Sequence, residues 1–212
     1  MLDFAMEPIN FIITFINSMG LGERVSIATG LIYIVLSVRQ NALCWPFGIV
    51  SVAIWMVVVF QGKLYSDAFL QFIYVVLGFY GWHQWLRGGK DHEPLKVRKV
   101  DLKLSLRLAA IGLITFIPLG YISENYLGAS FPWWDALTTV ISLIAQYLLA
   151  KKYLENWILW ITADAMYIVI YYLKGWTGYS GLMTVYTVMA IIGFAGWLKS
   201  YKADRIQQCQ PA

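Results

Sequence analysis

WPFGIVSVAIWMVVVFQGKLYSDAFLQFIYVVLGFYGWHQW, residues 45–85, returns in thinned form as WILWITADAMYIVIYYLKGWTGYSGLMTVYTVMAIIGFAGW, residues 157–197. The offset is 112 residues and needs no gap. Trp45, Leu70, Tyr74, Gly81 and Trp85 fall on Trp157, Leu182, Tyr186, Gly193 and Trp197. Just upstream, Arg39 falls on Lys151. An internal repeat of this kind fixes the architecture before any single element is read.

Both copies are apolar along most of their length. Around them the chain has 212 residues, 59% hydrophobic and 13% charged. Its mean hydropathy is +0.62. A soluble domain carries roughly 25% charged residues, so this chain lacks the polar surface to face water on all sides. The composition points to an all-α protein that crosses a bilayer several times. Seven apolar runs near 24–40, 42–60, 67–86, 104–122, 133–150, 154–173 and 179–198 are long enough to span about 30 Å of hydrocarbon. Residues 3–20 are apolar but interrupted by Asp3, Glu7, Pro8, Asn10 and Asn17. That segment reads as a short helix lying in the interface or inserted in the membrane.

The basic residues fix an expected orientation. With the N-terminus outside, thirteen of the sixteen Lys and Arg fall on inner segments and three, Arg24, Lys63 and Lys174, on outer ones. The bias predicts an outside N-terminus and an inside C-terminus in a bacterial inner membrane. It also accounts for the basic pI without a nucleic-acid partner. An offset of 112 residues carries the first span onto the fifth, four crossings later, so both copies run the same way. The result is a parallel repeat of three helices, a linker helix, and three helices again. The expected organisation is an N-terminal segment 1–22, a first triple-helix repeat 23–87, a loop and linker helix 88–130, a second repeat 131–200 and an inside tail 201–212.

The sixth span concentrates the chemistry. Trp157, Trp160, Asp164 and Tyr167 follow at spacings of three and four and share a helix face. A carboxylate at mid-membrane depth costs about 2.5–3.5 kcal/mol on insertion scales, so Asp164 needs a partner or a ligand. Aromatic faces beside it suit a flat, cationic ring. The first copy offers Trp45, Gly48, Val52 and Trp55, with Val52 at the position of Asp164, so the halves are chemically unequal. Gln71 and Tyr74 in the third span, Gln146 in the fifth and Tyr186 in the seventh add hydrogen-bonding groups inside apolar runs. The expected substrate-binding set is Asp164, Trp160, Tyr167, Trp157, Gln71, Tyr74, Tyr186, Trp45 and Gln146. The competing structural uses are interhelical hydrogen bonds and interfacial Trp anchors. Asp67 reads as a helix N-cap. His83 and His92 fall near the inner surface.

No phosphate-cradling glycine loop, HExxH pair or Cys/His metal spacing occurs, and two histidines assemble no hydrolytic triad. No enzyme activity, cofactor or metal is expected.

Taken in order, Trp45-Pro46-Phe47-Gly48, Leu64-Tyr65-Ser66-Asp67 with Leu70-Gln71 and Tyr74, and Tyr80-Gly81-Trp82 with Trp85 resemble the bacterial Pnu-type vitamin transporters. So do Glu155-Asn156-Trp157-Ile158-Leu159-Trp160, Asp164, Tyr167 and Lys174-Gly175. The resemblance runs from about residue 24 to 200. It implies a SWEET-like fold, a homotrimer and facilitated uptake of nicotinamide riboside, followed by trapping through a cytoplasmic kinase. Thiamine is the alternative cargo, and a non-transporting membrane receptor the alternative function. Some members of that family carry asparagine at the position of Asp164. The carboxylate here disfavours a neutral cargo such as riboflavin.

Overall fold

The computed structural model describes residues 10, 12–63, 65–89, 93–126 and 130–209. It is all-helical apart from one short extended segment. Seven long helices follow in order: α1 (Leu21–Val38), α2 (Cys44–Gln61), α3 (Tyr65–Arg87), α4 (Leu102–Asn125), α5 (Pro132–Ala150), α6 (Asn156–Leu173) and α7 (Thr177–Cys209). Each lies within a few residues of an apolar run found in the sequence. By length and composition five of them, α1, α2, α4, α6 and the Thr177–Ile206 part of α7, are able to cross a membrane. α3 and α5 are of similar length but carry more polar residues.

The helices touch in a closed ring: α1 on α2, α2 on α3, α3 on α5, α5 on α6, α6 on α7, and α7 back on α1. α4 packs on α5 from outside. α5 is accordingly buried along one face, from Ala136 and Thr138 to Leu149 and Ala150. α4 buries little beyond Gly112, Gly120 and Ser123.

The 112-residue offset recurs in the backbone. α2 and α6 begin and end at equivalent positions, and so do the starts of α3 and α7. α1 closes with Gln40 at φ 57°, and α5 closes with Lys152 at φ 53°. In each turn the amide of the following residue reaches back five positions, Asn41 to Leu36 at 3.0 Å and Tyr153 to Leu148 at 2.9 Å. These are Schellman-type helix endings, in which a left-handed residue lets the last carbonyls find donors. The endings of α2 and α6 match likewise, with Lys63 at φ 62° and Gly175 at φ 74°.

Four tryptophans form the centre of the core at one end of the ring. Trp45 meets Trp85 edge-to-face at 5.5 Å and 89°, and Trp157 meets Trp197 at 5.3 Å and 90°. Trp85 and Trp197 then touch each other at 5.7 Å. All four are at most 2% exposed. Edge-to-face pairs contribute about 0.5–1.5 kcal/mol each beyond area burial. Trp45 fits because α3 has Gly81 beneath it, and Trp157 because α7 has Gly193; a Cβ at either glycine would collide with the indole. The indole N–H groups of Trp85 and Trp197 donate to the carbonyls of Leu149 (2.9 Å) and Ser37 (3.1 Å). Those carbonyls are also 112 residues apart. The indole N–H groups of Trp45 and Trp157 have no acceptor among the described residues.

An extended segment, 93–100, runs beneath this cluster where the sequence suggests only a charged loop. Arg98 and the turn after α5 exchange backbone hydrogen bonds, Arg98 N to Lys152 O at 3.0 Å and Leu154 N to Arg98 O at 2.8 Å. Val100 N donates to Glu155 Oε2 at 3.0 Å. Leu95 and Val97 turn inward and are buried, while Arg98 lies over the Tyr153 ring at 4.3 Å. Lys152 is itself buried, 4.6 Å from the centre of the Trp85 ring.

The opposite end holds acidic and aromatic groups. Lys174 Nζ lies 3.9 Å from Asp135 Oδ2. Tyr179 Oη donates to Glu23 Oε1 at 2.8 Å. Asp67 lies inside the first turn of α3, not at its N-cap, because the helix already starts at Tyr65. α7 continues to Cys209, through most of the stretch read as a tail, since no Gly or Pro interrupts residues 198–209. Residues 12–18 are helical, and Phe15 packs on Gly178 and on Tyr179, 5.4 Å away and edge-on. Residues 1–9, the start of the expected N-terminal segment, and His92 lie outside the described residues.

Candidate functional site

Between the tryptophan cluster and the acidic end, polar groups from five helices converge inside the ring. α5 supplies three of them, Thr138, Ser142 and Gln146, at intervals of four and therefore one above another. All three are buried. Thr138 spends its hydroxyl on its own helix, 3.0 Å from the carbonyls of Trp134 and Asp135. Gln146 Oε1 accepts from Tyr33 Oη of α1 at 3.4 Å. One edge of the Tyr33 ring lies against Gly48 of α2, whose missing side chain makes the room.

α6 supplies Asp164, which is 7% exposed. Among the described residues its carboxylate has neither a hydrogen bond nor an ion pair. Its electrostatic neighbours are the phenols of Tyr167, one turn along, and Tyr186 of α7. Tyr186 Oη closes onto the α1 backbone, 2.8 Å from where a Cβ on Gly30 would be. From α3, Tyr74 lies among Ser142, Tyr167 and Tyr33. Gln71, one turn away, is partly buried and makes no hydrogen bond among the described residues. The Tyr167 ring is stacked on Tyr171 at 5.7 Å and 17°, and Tyr171 on Trp176 at 5.9 Å, an aromatic column leading toward the acidic end. One face of Tyr167 is thus covered by protein, and its hydroxyl points among Thr138 and Ser142.

The structure therefore gathers Asp164, Tyr167, Tyr74, Tyr186 and Gln146, with Gln71 one turn of α3 beyond. Trp160 borders this group and packs partly against the tryptophan core. Trp45 and Trp157 stand apart. Trp157 is two helical turns from Asp164, and both indoles are enclosed by the other tryptophans. Two residues of the group were not foreseen, Tyr33 and Ser142. Tyr33 is the only aromatic residue of α1, a signal present in the sequence. Ser142 carries no signal beyond a hydroxyl in an apolar run.

Chemically the group offers one carboxylate, four phenols, one hydroxyl and two amides, enclosed by apolar helices. It suits a small, flat cation with hydrogen-bonding substituents. No three His, Cys, Asp or Glu side chains gather as a metal site among the described residues.

The nicotinamide mononucleotide transporter family model matches residues 21–199. A nicotinamide riboside transporter PnuC of Escherichia coli K12 is 28% identical over 203 residues, covering 84% of this chain and 85% of its own. The protein of that name from Neisseria mucosa is 26% identical over 191 residues, covering 84% and 72%. The riboflavin/roseoflavin transporter RibM of Streptomyces davaonensis is 25% identical over 187 residues, covering 83% and 84%. A crystal structure of the vitamin B3 transporter PnuC superposes with a TM-score of 0.68 at 22% identity, over 95% of this chain and 86% of that one.

Proposed function

This chain belongs to the nicotinamide mononucleotide transporter family and is a multi-pass membrane protein, and from that premise we propose that it carries nicotinamide riboside across the membrane. The supporting observation is Asp164, an enclosed carboxylate with no partner among the described residues, on a face shared with Trp160 and Tyr167. Nicotinamide riboside is a cation with a flat ring. It brings the missing positive charge, a surface for stacking and an amide.

In this reading Asp164 neutralises the ring, Trp160 stacks it, and Gln71 and Gln146 bond its amide. Tyr74, Tyr167 and Tyr186 close around the sugar, with Tyr167 offering its hydroxyl because Tyr171 covers one ring face. Trp45 and Trp157 support the site from the core. The two helix triplets, α1–α3 and α5–α7, with α4 as linker, act as parallel halves of a 3+1+3, SWEET-like arrangement whose rocking exposes the site to each side in turn. α3 and α5 cross the membrane with the other five helices.

Transport is facilitated diffusion in the inner membrane, with the N-terminus outside and the C-terminus inside, in a homotrimer. A cytoplasmic kinase traps the cargo by phosphorylation. The test is uptake of radiolabelled nicotinamide riboside into proteoliposomes. Saturable uptake that needs no imposed ion gradient and stops at electrochemical equilibrium of the cargo is the expected result. Lack of saturable uptake overturns the reading.

RibM gives a second cargo a specific basis. Riboflavin is neutral, however, and leaves Asp164 without a counter-charge. Unlabelled riboflavin is therefore expected to compete poorly in the same assay. Thiamine is a cation like nicotinamide riboside, so Asp164 does not separate the two, and labelled thiamine uptake is measured beside it.

A further inference from the structure

Ser142 is 2% exposed, and its Oγ has no hydrogen-bond partner among the described residues. Burying a hydroxyl unpaired is destabilising, a cost alanine would avoid. The ordinary escape for a helical hydroxyl is a carbonyl three or four residues earlier. Thr29, Thr115, Thr138, Thr162, Thr184 and Thr187 all take it. Ser142 does not. Its hydroxyl instead faces the phenols of Tyr74 and Tyr167 without completing a hydrogen bond to either. The Ser142 hydroxyl of α5 thus has a phenol of α3 and a phenol of α6 as neighbours.

The other half shows what closure looks like. There Gly30 occupies the repeat position of Ser142, and Tyr186 Oη and Ser51 Oγ come within 2.8 and 3.1 Å of where its Cβ would be. Ser51 is already paired, donating to Ser26 O at 2.7 Å. At that position α1 has no hydroxyl to offer. The Ser37 Oγ is also unpaired, but it sits at the tryptophan end, where the Ser37 carbonyl takes the Trp197 indole.

We infer that Ser142 Oγ, with the phenol oxygens of Tyr74 and Tyr167, forms a socket for a ribose hydroxyl of the carried nucleoside. The socket makes Ser142 a specificity-determining residue, which distinguishes a riboside from analogues lacking a sugar hydroxyl. The inference rests on the proposed carriage of nicotinamide riboside. A site whose polar groups await a substrate hydroxyl penalises the analogue that lacks it, because the site is then left unpaired.

The test is titration calorimetry on the detergent-purified full chain with nicotinamide riboside and its 2′-deoxy and 3′-deoxy analogues. The wild type is expected to prefer the riboside over at least one analogue by about tenfold. Ser142→Ala is expected to cut that preference to about twofold or less while keeping its thermal stability. Should Ser142→Ala not purify, Ser142→Cys keeps the volume with a weaker donor and carries the same expectation. Equal affinity of the wild type for all three ligands, or undiminished preference in the variant, overturns the socket. Failure of the wild type to bind the riboside at all overturns the cargo instead.

Discussion

The indole N–H of Trp85 donates to the carbonyl of Leu149 at 2.9 Å, across the boundary between the two halves. Trp197 makes the equivalent bond to Ser37 at 3.1 Å, in the opposite sense. Each half thus holds the C-terminal end of the other half's first helix. The ring is locked at this end by a pair of bonds that must open together if the halves separate there.

Trp85→Phe and Trp197→Phe each keep a ring and remove a donor. Both are expected to lower stability by about 0.5–1.5 kcal/mol, the net worth of one hydrogen bond, since each carbonyl keeps a backbone donor, Lys152 N on Leu149 O and Gln40 N on Ser37 O, both at 3.0 Å. The two losses should be similar because the bonds are equivalent by the repeat. Thermal unfolding in detergent measures them. A large loss for one and none for the other would show that the lock is one-sided.

Gly81→Ala and Gly193→Ala push a methyl group into Trp45 and Trp157. Overpacking of this kind costs about 1–3 kcal/mol. Gly196→Ala is the control, because nothing lies within 4 Å of a Cβ there. The expected order of melting temperature is Gly196→Ala close to wild type, with the other two clearly below.

Asp164→Asn keeps the size of the side chain and removes its charge. Affinity for nicotinamide riboside should fall at least about tenfold, the loss of one charge-assisted interaction, with the fold retained. Titration calorimetry on the detergent-purified variant gives the answer. Unchanged affinity would make the carboxylate a structural group.

Lys152 gives a pH dependence with a definite sign. Burial pushes its ammonium down to about 8, against electrostatic support from Cys44 and Asp204. The unfolded chain holds that proton to about 10.4. Between those values the unfolded state binds more protons, so stability rises with pH. The gain is absent below pH 8 and complete near 10.4. Lys152→Met should lose this rise. The readout is the change in melting temperature from pH 7.5 to 9.5, wild type against variant.

The repeat was legible because its markers are rare residues under tight geometric demand. A tryptophan needs a glycine opposite it, and both recur at one offset, Trp45 with Gly81 and Trp157 with Gly193. Asp164 and Gln146 were legible as polar residues in apolar runs. The role of Trp157 was not, because a tryptophan at a helix start serves equally to stack a ligand, anchor at an interface or fill a core. Position alone does not choose among these; contacts do. The 93–100 segment is masked by its charges, although Leu95 and Val97 alternate with Lys96 and Arg98, the period of a strand. Ser142 was invisible for a different reason. Its unpaired state depends on three helices and not on its neighbours in sequence.

The extended segment also removes the balance that the repeat sets up. Its hydrogen bonds around Arg98 go to the turn after α5, and α4, which follows it, packs on α5 as well. The same segment also reaches the first half, where Leu95 N donates to Trp85 O at 3.3 Å and Val97 packs in the cluster of Trp45 and Trp85. One stretch of chain with no counterpart in the repeat thus staples the end of α3 to the turn after α5, and the tryptophan end carries a third tie beside the two indole bonds.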